Sequence, residues 1–342
     1  MKALEKSLIL LDSYKSTLSD RETIAAINQV KRLFDSLFAE ALHVTLVPSP
    51  LFVPSYTGIN DQLNGTEQPV SFTAPDVGES PMELLHSLAK WKRMALQRLG
   101  FEPGEGLYTD MNAIRRDEVV DSLHSIYVDQ WDWEKVITVK ERNLDFLQDT
   151  VQRIYGVLRT IGKEITEAYP QLQLEMPEDI YFVTTQELED MYPTFTPKQR
   201  EDAYAKEKGA IFVMQIGGLL KSGLKHDGRS PDYDDWSLNG DIILWNPLLE
   251  IAFEVSSMGI RVDAATLKAQ LLAAGCPERA ELAFHRALLE GQLPYTIGGG
   301  IGKSRLCMFL LNKAHIGEVQ VSVWPQHVIE SCKQANIHLL PV

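Results

Sequence analysis

The order of hydrophobic patterns along this 342-residue chain predicts an α+β fold, an antiparallel β-sheet flanked by helices, with residues 1–342 forming a single domain. Strand patterns come in adjacent groups and do not alternate regularly with helices, which favours such a sheet over a βαβ series. No internal repeat, low-complexity tract or Pro/Ser-rich linker interrupts the chain. Hydrophobic residues make up 44% and charged residues 23%, the balance of a globular protein able to bury a substantial core.

The elements follow in order. Ser19-Asp20-Arg21-Glu22 reads as a capping box. Ile24, Ile27, Val30, Phe34 and Leu37 then recur at three- and four-residue spacing, giving an amphipathic helix to about Ala41. Pro48, Pro50 and Pro54 stop helix and mark an extended segment. Residues 56–80, rich in Gly, Asn, Thr and Pro, suggest a functional loop with a short hairpin. A strand-like segment at 84–87 precedes a short helix at 89–99. Strands at 106–114 and 124–133 are joined by the charged turn Arg115-Arg116-Asp117-Glu118, and a long helix covers 141–167. Strands are expected at 180–183, 210–216, 241–245 and 251–257, and helices from 264 to 286.

Composition narrows the chemistry. The formal net charge of −14 and the absence of a visible basic stripe argue against nucleic-acid binding. Cys276, Cys307 and Cys332 are scattered and suit a reducing cytoplasm, with Cys307 read as a packing residue beside Leu306 and Met308. The apolar run at the N-terminus is too short and interrupted for a signal peptide or membrane span. No histidine pair has zinc spacing and no Gly-x-Ser-x-Gly elbow occurs. Trp131, Trp133, Trp236 and Trp245 read as core or cleft walls.

The stretch Tyr295-Thr296-Ile297-Gly298-Gly299-Gly300-Ile301-Gly302-Lys303-Ser304-Arg305 carries most information. It reads as a glycine loop entering a helix, with Ser304 as N-cap, a ready anion site, and with Arg305 placed for phosphate contacts. A Walker A loop fails because Ile297 stands where its first glycine belongs, and a dinucleotide fingerprint fails at Lys303. Taken alone, the glycines equally fit a turn before a core helix.

Strand parity places His124, Gln130 and Asp132 on one face, with Tyr127, Asp129, Trp131 and Trp133 on the other. It likewise groups Glu250, Ala252, Glu254 and Ser256 against Ile251, Phe253 and Val255. A repeated acidic face is either solvated or met by cations. Asp241 and Glu254 in neighbouring strands suit Mg²⁺, which takes one or two carboxylates while bridging phosphates, with Arg115 and Arg305 as neutralising cations. The acidic loop His226-Asp227-Gly228-Arg229-Ser230-Pro231-Asp232-Tyr233-Asp234-Asp235 is no EF-hand and also fits a solvated turn.

Several longer segments together resemble one family. They are His86-Ser87-Leu88-Ala89-Lys90-Trp91-Lys92-Arg93, Gly104-Glu105-Gly106-Leu107-Tyr108-Thr109, and Tyr127-Val128-Asp129-Gln130-Trp131-Asp132-Trp133-Glu134. To these add Pro231-Asp232-Tyr233-Asp234-Asp235-Trp236, Asn239-Gly240-Asp241, Ser256-Ser257-Met258-Gly259-Ile260-Arg261-Val262-Asp263 and the glycine stretch. The chain resembles, nearly end to end, the ammonia-dependent aspartate–ammonia ligases, the A-type asparagine synthetases. That resemblance implies a class II aminoacyl-tRNA-synthetase-like catalytic core, a homodimer, and conversion of L-aspartate, ATP and ammonia to asparagine, AMP and pyrophosphate through a β-aspartyl adenylate. The apolar stripe of the first helix is the one sequence feature that supports a dimer.

The resemblance also implies roles. Arg115 contacts the α-phosphate and the attacking carboxylate, Glu118 helps hold adenine, Arg305 lies near the nucleotide, and Gly300 and Gly302 form the nucleotide loop. Asp241 and Glu254 hold Mg²⁺ and the phosphates. Asp61, within Asn60-Asp61-Gln62-Leu63-Asn64-Gly65, receives the α-ammonium; Lys92 and Arg261 meet carboxylates, and Gln130 and Ser257 complete the amino-acid site. Asp234 positions or deprotonates ammonium. An aspartyl- or asparaginyl-tRNA synthetase paralogue is the alternative, weakened by the lack of room for an anticodon-binding barrel before the core. A non-catalytic regulator would be expected to lose Arg115, Glu254 or Arg305, and all are present. Free ammonia is the expected nitrogen source, because Lys2 stands where a glutaminase would carry cysteine.

Overall fold

A computed structural model describes residues 8–11, 14–61 and 67–342. The first helix, α1 (Asp20–Leu42), opens on the expected capping box: Ser19 accepts from the Glu22 amide, and Glu22 accepts from the Ser19 amide at 2.8 Å. The chain continues through β1 (Val44–Leu46), β2 (Phe52–Pro54), the hairpin β3 (Ser71–Ala74) and β4 (Gly78–Leu84), α2 (Ala89–Leu99), β5 (Gly106–Ile114) and β6 (Tyr127–Val136). Helix α3 (Leu144–Ala168) leads to β7 (Tyr181–Thr184), α4 (Thr185–Met191), α5 (Pro197–Lys208), β8 (Ala210–Met214), β9 (Asp234–Asn246) and β10 (Ile251–Arg261). Then come α6 (Ala264–Ala273), α7 (Ala283–Leu289), β11 (Thr296–Gly302), α8 (Lys303–Leu310) and α9 (Gln326–Gln334).

Among the described residues, eight strands form one sheet in the order β1-β5-β6-β11-β10-β9-β8-β7, and β2-β4-β3 form a small second sheet. The six central strands are antiparallel, whereas both edge pairs, β1 with β5 and β7 with β8, are parallel. The expected antiparallel sheet is therefore the centre of a mixed one. The edge strand β7 lies where a strand was expected at 180–183, whereas β1, only three residues long, carries almost no alternation.

The apolar stripe of α1 is spent inside the chain. Ile27, Val30, Phe34 and Phe38 are buried, Phe34 stacks on Trp131 at 3.8 Å, and Phe38 meets Trp133 edge-on at 6.0 Å. That stripe, expected to support a dimer, is therefore not available as the face of one. The buried residues of α3, from Leu147 to Ile165, complete the same core. On the opposite face, Val183, Leu188, Ala205 and Ile211 form a second cluster near one edge, while Ala95, Leu96, Leu107 and Val136 pack near the other. The middle of that face, over β6, β11, β10 and β9, carries polar side chains.

Several boundaries move. The segment expected as strand at 84–87 is mostly the connection from β4 to α2, and β6 begins at Tyr127, leaving His124 in the preceding loop. The helical stretch at 264–286 divides into α6, a 3-10 turn at Pro277–Glu281 and α7. Strand β9 starts at Asp234, seven residues before the expected strand, so Asp234 and Asp235, the last two residues of the supposed acidic loop, belong to an interior strand.

The glycine stretch is the largest revision. Residues Thr296–Gly302 are a central strand, hydrogen-bonded to β6 on one side and β10 on the other. It runs straight into α8, whose N-cap is Gly302 and not Ser304. The Ser304 amide donates to the Asp129 carboxylate at 3.2 Å, so an internal carboxylate already occupies the expected anion position. Glycine serves here by leaving room: a Cβ on Gly298 would lie 2.6 Å from the Trp133 carbonyl oxygen and would collide with the Glu134 carboxylate.

Gly298→Ala should therefore destabilise the protein by about 1–3 kcal/mol through overpacking. Gly156→Ala, in α3 with nothing within 4 Å of a new Cβ, should stabilise it by roughly 0.5–1 kcal/mol through helix propensity. Denaturant midpoints of the two variants check the opposite signs.

Candidate active site

A cleft of about 520 Å³ lies over the glycine strand. Its floor follows from the ladder register. Gly300 pairs with Asp132 on one side and Ser257 on the other, and Ser257 pairs with Asp241, so one row crosses four strands. The next row aligns Glu134, Gly298, Gly259 and Asn239. Gly298, Gly300 and Gly302 share the cleft face by alternation, while Ile297 and Ile301 point to the core.

A β-bulge decides which residues of β10 join them. Glu254 pairs with Ile243 but Ser256 pairs with Ile242, so Val255 is an extra residue. The bulge switches parity, and Glu254, Ser257 and Arg261 come to the same face although their numbers differ in parity. Simple alternation placed Ser256 beside Glu254; instead Ser256 is buried and its hydroxyl lacks a partner. Parity held in β6, where Gln130 and Asp132 reach the cleft while Trp131 and Trp133 enter the core.

Charges on this floor are paired. Arg261 donates through Nη2 to Glu134 at 2.7 Å and through Nε at 2.9 Å, and another nitrogen pairs with Asp234. Lys92, from α2, donates to Asp132, to the Trp133 carbonyl at 2.9 Å and to the Gly299 carbonyl at 3.1 Å. Glu134 is fully buried and also accepts from Thr296 at 2.7 Å. Burial pushes its carboxyl up, but Arg261 and Lys92 outweigh burial and hold it below the usual carboxylate range. Asp132 goes the other way: burial wins over Lys92 and its carboxyl is raised.

Arg229 supplies a further cation to the cleft, one that the sequence does not point to. It lies within the quoted acidic loop, where neighbouring Asp residues masked it. It donates to Asp241 at 2.6 Å and to the Ser257 hydroxyl, and lies 4.0 Å from Asp234. Glu134 was also missed, although a glycine opposite a carboxylate in adjoining strands would have signalled it.

At the other end, Arg305 donates to the Glu254 carbonyl at 3.2 Å and to His124 Nε2 at 2.7 Å, and its guanidinium is 3.7 Å from the Glu254 carboxylate. His124 in turn bonds Asp121 through Nδ1 at 2.8 Å. Arg115 and Glu118 approach from the β5–β6 loop, and Arg115 Nε is buried with no protein acceptor. Cys307 lies in the core of α8, its thiol pushed up to about 12 by burial, as a packing residue should be.

The structure thus brings Arg115, Glu118, Lys92, Gln130, Asp234, Glu254, Ser257, Arg261, Gly300, Gly302 and Arg305 to one cleft. Two expected residues stand off its wall. Asp241 is buried behind Arg229. Asp61 is buried near Tyr233, whose hydroxyl is raised well above its ordinary value by burial and by the Asp61 and Asp234 charges. Residues 62–65 of the Asp61 motif lie outside the described residues. Lys92 also differs from expectation: its three donor positions are filled by the protein, so it braces the floor and does not offer a free ammonium.

A sequence model of the aspartate-ammonia ligases matches residues 21–336. The chain belongs to this family. Aspartate–ammonia ligase of Ruminiclostridium cellulolyticum is 59% identical over 334 residues, covering 98% of this chain and 99% of the relative. That of Clostridium perfringens is 57% identical over 335 residues, covering 98% and 100%. Among solved structures, asparaginyl-tRNA synthetase of Pyrococcus horikoshii complexed with asparaginyl-adenylate superposes with a TM-score of 0.64 at 15% identity. The match covers 89% of this chain and 70% of that one. The Entamoeba histolytica enzyme with the same adenylate gives 0.63 at 15%, covering 88% of this chain and 66% of that one, so this chain spans about two thirds of its length. These likenesses show the class II aminoacyl-tRNA-synthetase-like fold of the core.

Glu134→Ala would leave the Arg261 charge buried without its principal partner, and stability should fall by about 3–5 kcal/mol. Removing the exposed partner of Lys163, by Glu167→Gln, should leave the denaturant midpoint unchanged, since that 3.8 Å pair is solvated.

Proposed function

We propose that this chain makes L-asparagine from L-aspartate, ATP and ammonia, releasing AMP and pyrophosphate through a β-aspartyl adenylate. The observation that carries the reading is the single cleft in which phosphate-binding and carboxylate-binding groups meet over a bare strand. It is supported by family membership across nearly the whole chain.

A carboxylate is a poor acyl donor, so its oxygen must first attack the α-phosphate of ATP. Arg115 offers a buried, unpartnered Nε near the loop end of the cleft and neutralises the phosphate and the attacking carboxylate. Arg305 lies across from it on α8 and steadies the nucleotide, with Glu118 toward adenine. Gly300 and Gly302 allow the nucleotide close to the backbone. Alignment of two anions and cancellation of their repulsion are most of what this step requires. Gln130, Ser257 and Arg261 orient aspartate, Asp61 attracts its α-ammonium, and Lys92 keeps the floor in place. Asp234, held by Arg261, draws ammonium toward the acyl carbon.

Glu254 opens on the cleft and Asp241 lies behind its wall on Arg229, so an Mg²⁺ ion held by both would have to take the Asp241 carboxylate from Arg229. Asp241 is raised by burial and by Glu254, and Arg229 only partly offsets them; two acids sharing a field favour a cation. Asp241 and Glu254 would hold the ion, and when bound it would neutralise the phosphates. The protein is expected to act as a homodimeric cytoplasmic enzyme built on one catalytic domain, 1–342, with neither nucleic acid nor membrane as partner. No described helix is long and apolar enough to cross a membrane.

Purified protein given aspartate, ATP, Mg²⁺ and ammonium should form asparagine and AMP in equal amounts without tRNA or glutamine. AMP formed only on addition of tRNA would instead favour the synthetase alternative. Arg115→Ala should lower kcat/KM by roughly 10²–10³-fold, the scale of losing one group that stabilises transition-state charge.

A further inference from the structure

His86 sits between β4 and α2, only 1% exposed, at a wall common to two cavities. The second cavity, of about 320 Å³, shares Arg115, Glu118, Arg229 and Tyr233 with the main cleft. The backbone around His86 is pinned: its amide donates to the Asn60 side chain at 2.9 Å. Its Nδ1 lies 3.2 Å from the Asp61 carbonyl oxygen. A carbonyl can only accept, so Nδ1 carries the hydrogen and Nε2 presents a lone pair. That Nε2 is buried and has no hydrogen-bond partner in the protein. On the cleft floor Asp132 is committed to Lys92, and both Glu134 and Asp234 to Arg261.

We infer that His86 is the general base of amide formation, taking a proton from the nitrogen that attacks the acyl adenylate, with ammonia reaching it through the smaller cavity. The inference rests on the adenylate reading above. Ammonia's lone pair forms the C–N bond and leaves the new nitrogen positively charged with one hydrogen too many. His86 Nε2 accepts that proton. The carbonyl then re-forms, the C–O bond to phosphate breaks, and AMP leaves with the electron pair. Without the proton transfer, the protonated nitrogen is the better leaving group and the adduct reverts.

The test separates the two half-reactions. Wild-type protein is first shown to make asparagine and AMP; failure there would overturn the adenylate reading itself, independently of His86. His86→Asn then keeps a donor toward the Asp61 carbonyl but removes the base, with His86→Gln in reserve if it does not fold. Aspartate-dependent exchange of pyrophosphate into ATP should stay within about threefold, whereas asparagine formation should fall roughly 10²–10⁴-fold, the range for a general base. Hydroxylamine, far less basic than ammonia, gives an adduct that releases its proton readily and should form aspartyl hydroxamate at nearly the wild-type rate. Parallel loss with ammonia and hydroxylamine, loss of exchange, or unchanged use of ammonia would each overturn the assignment.

Discussion

The contact between Arg261 and Glu134 across Gly298 is the constraint on which the cleft depends. Removing a guanidinium and a carboxylate from water costs several kcal/mol each, and their attraction repays it only with good geometry and further hydrogen bonds. Both conditions hold: Glu134 also accepts from the Thr296 hydroxyl, and Arg261 also donates to Asp234. The arrangement exists because β11 has no side chain where the Glu134 carboxylate lies. A buried pair of this kind is weak support for stability as such. Its effect is to fix one guanidinium and one carboxylate in a sheet that cannot easily move.

From that contact the rest is local. Lys92 ties α2 to β6 and β11 through one carboxylate and two carbonyls, and so positions the segment that carries His86. Asp232 repeats the device beneath it. It binds His285 at 2.8 Å and Arg279 at 2.9 Å, with Lys90 at 3.8 Å, and these partners hold its carboxyl well below the usual range despite burial. The helices around the 3-10 turn are thereby fastened to the acid-rich loop, and Arg229 is presented to the cleft.

Much of this was legible in the chain. The α1 capping box, the long helix at α3, the paired strands β5 and β6, and the packing role of Cys307 follow from spacing and from local hydrogen-bond logic. The resemblance located most residues of the cleft. Four things were not legible, each for a physical reason. A glycine-rich strand has no alternation to read, so it passed for a loop. A bulge moves Ser257 and Arg261 to the face of Glu254 without leaving a periodic signal. The apolar stripe of α1 announced burial but not its partner, and the partner is Trp131 and α3. The commitment of Lys92 to the floor was equally invisible, because a lysine's type does not reveal whether its protons are already used.

The central claim is that the cleft joins an aspartate carboxylate oxygen to the α-phosphate of ATP. The most direct measurement uses aspartate labelled with ¹⁸O in its side-chain carboxylate and follows the label by mass spectrometry. The account predicts one ¹⁸O in each AMP formed, with none in pyrophosphate. Asparagine formed with unlabelled AMP, or with label in inorganic phosphate beside ADP, would contradict it.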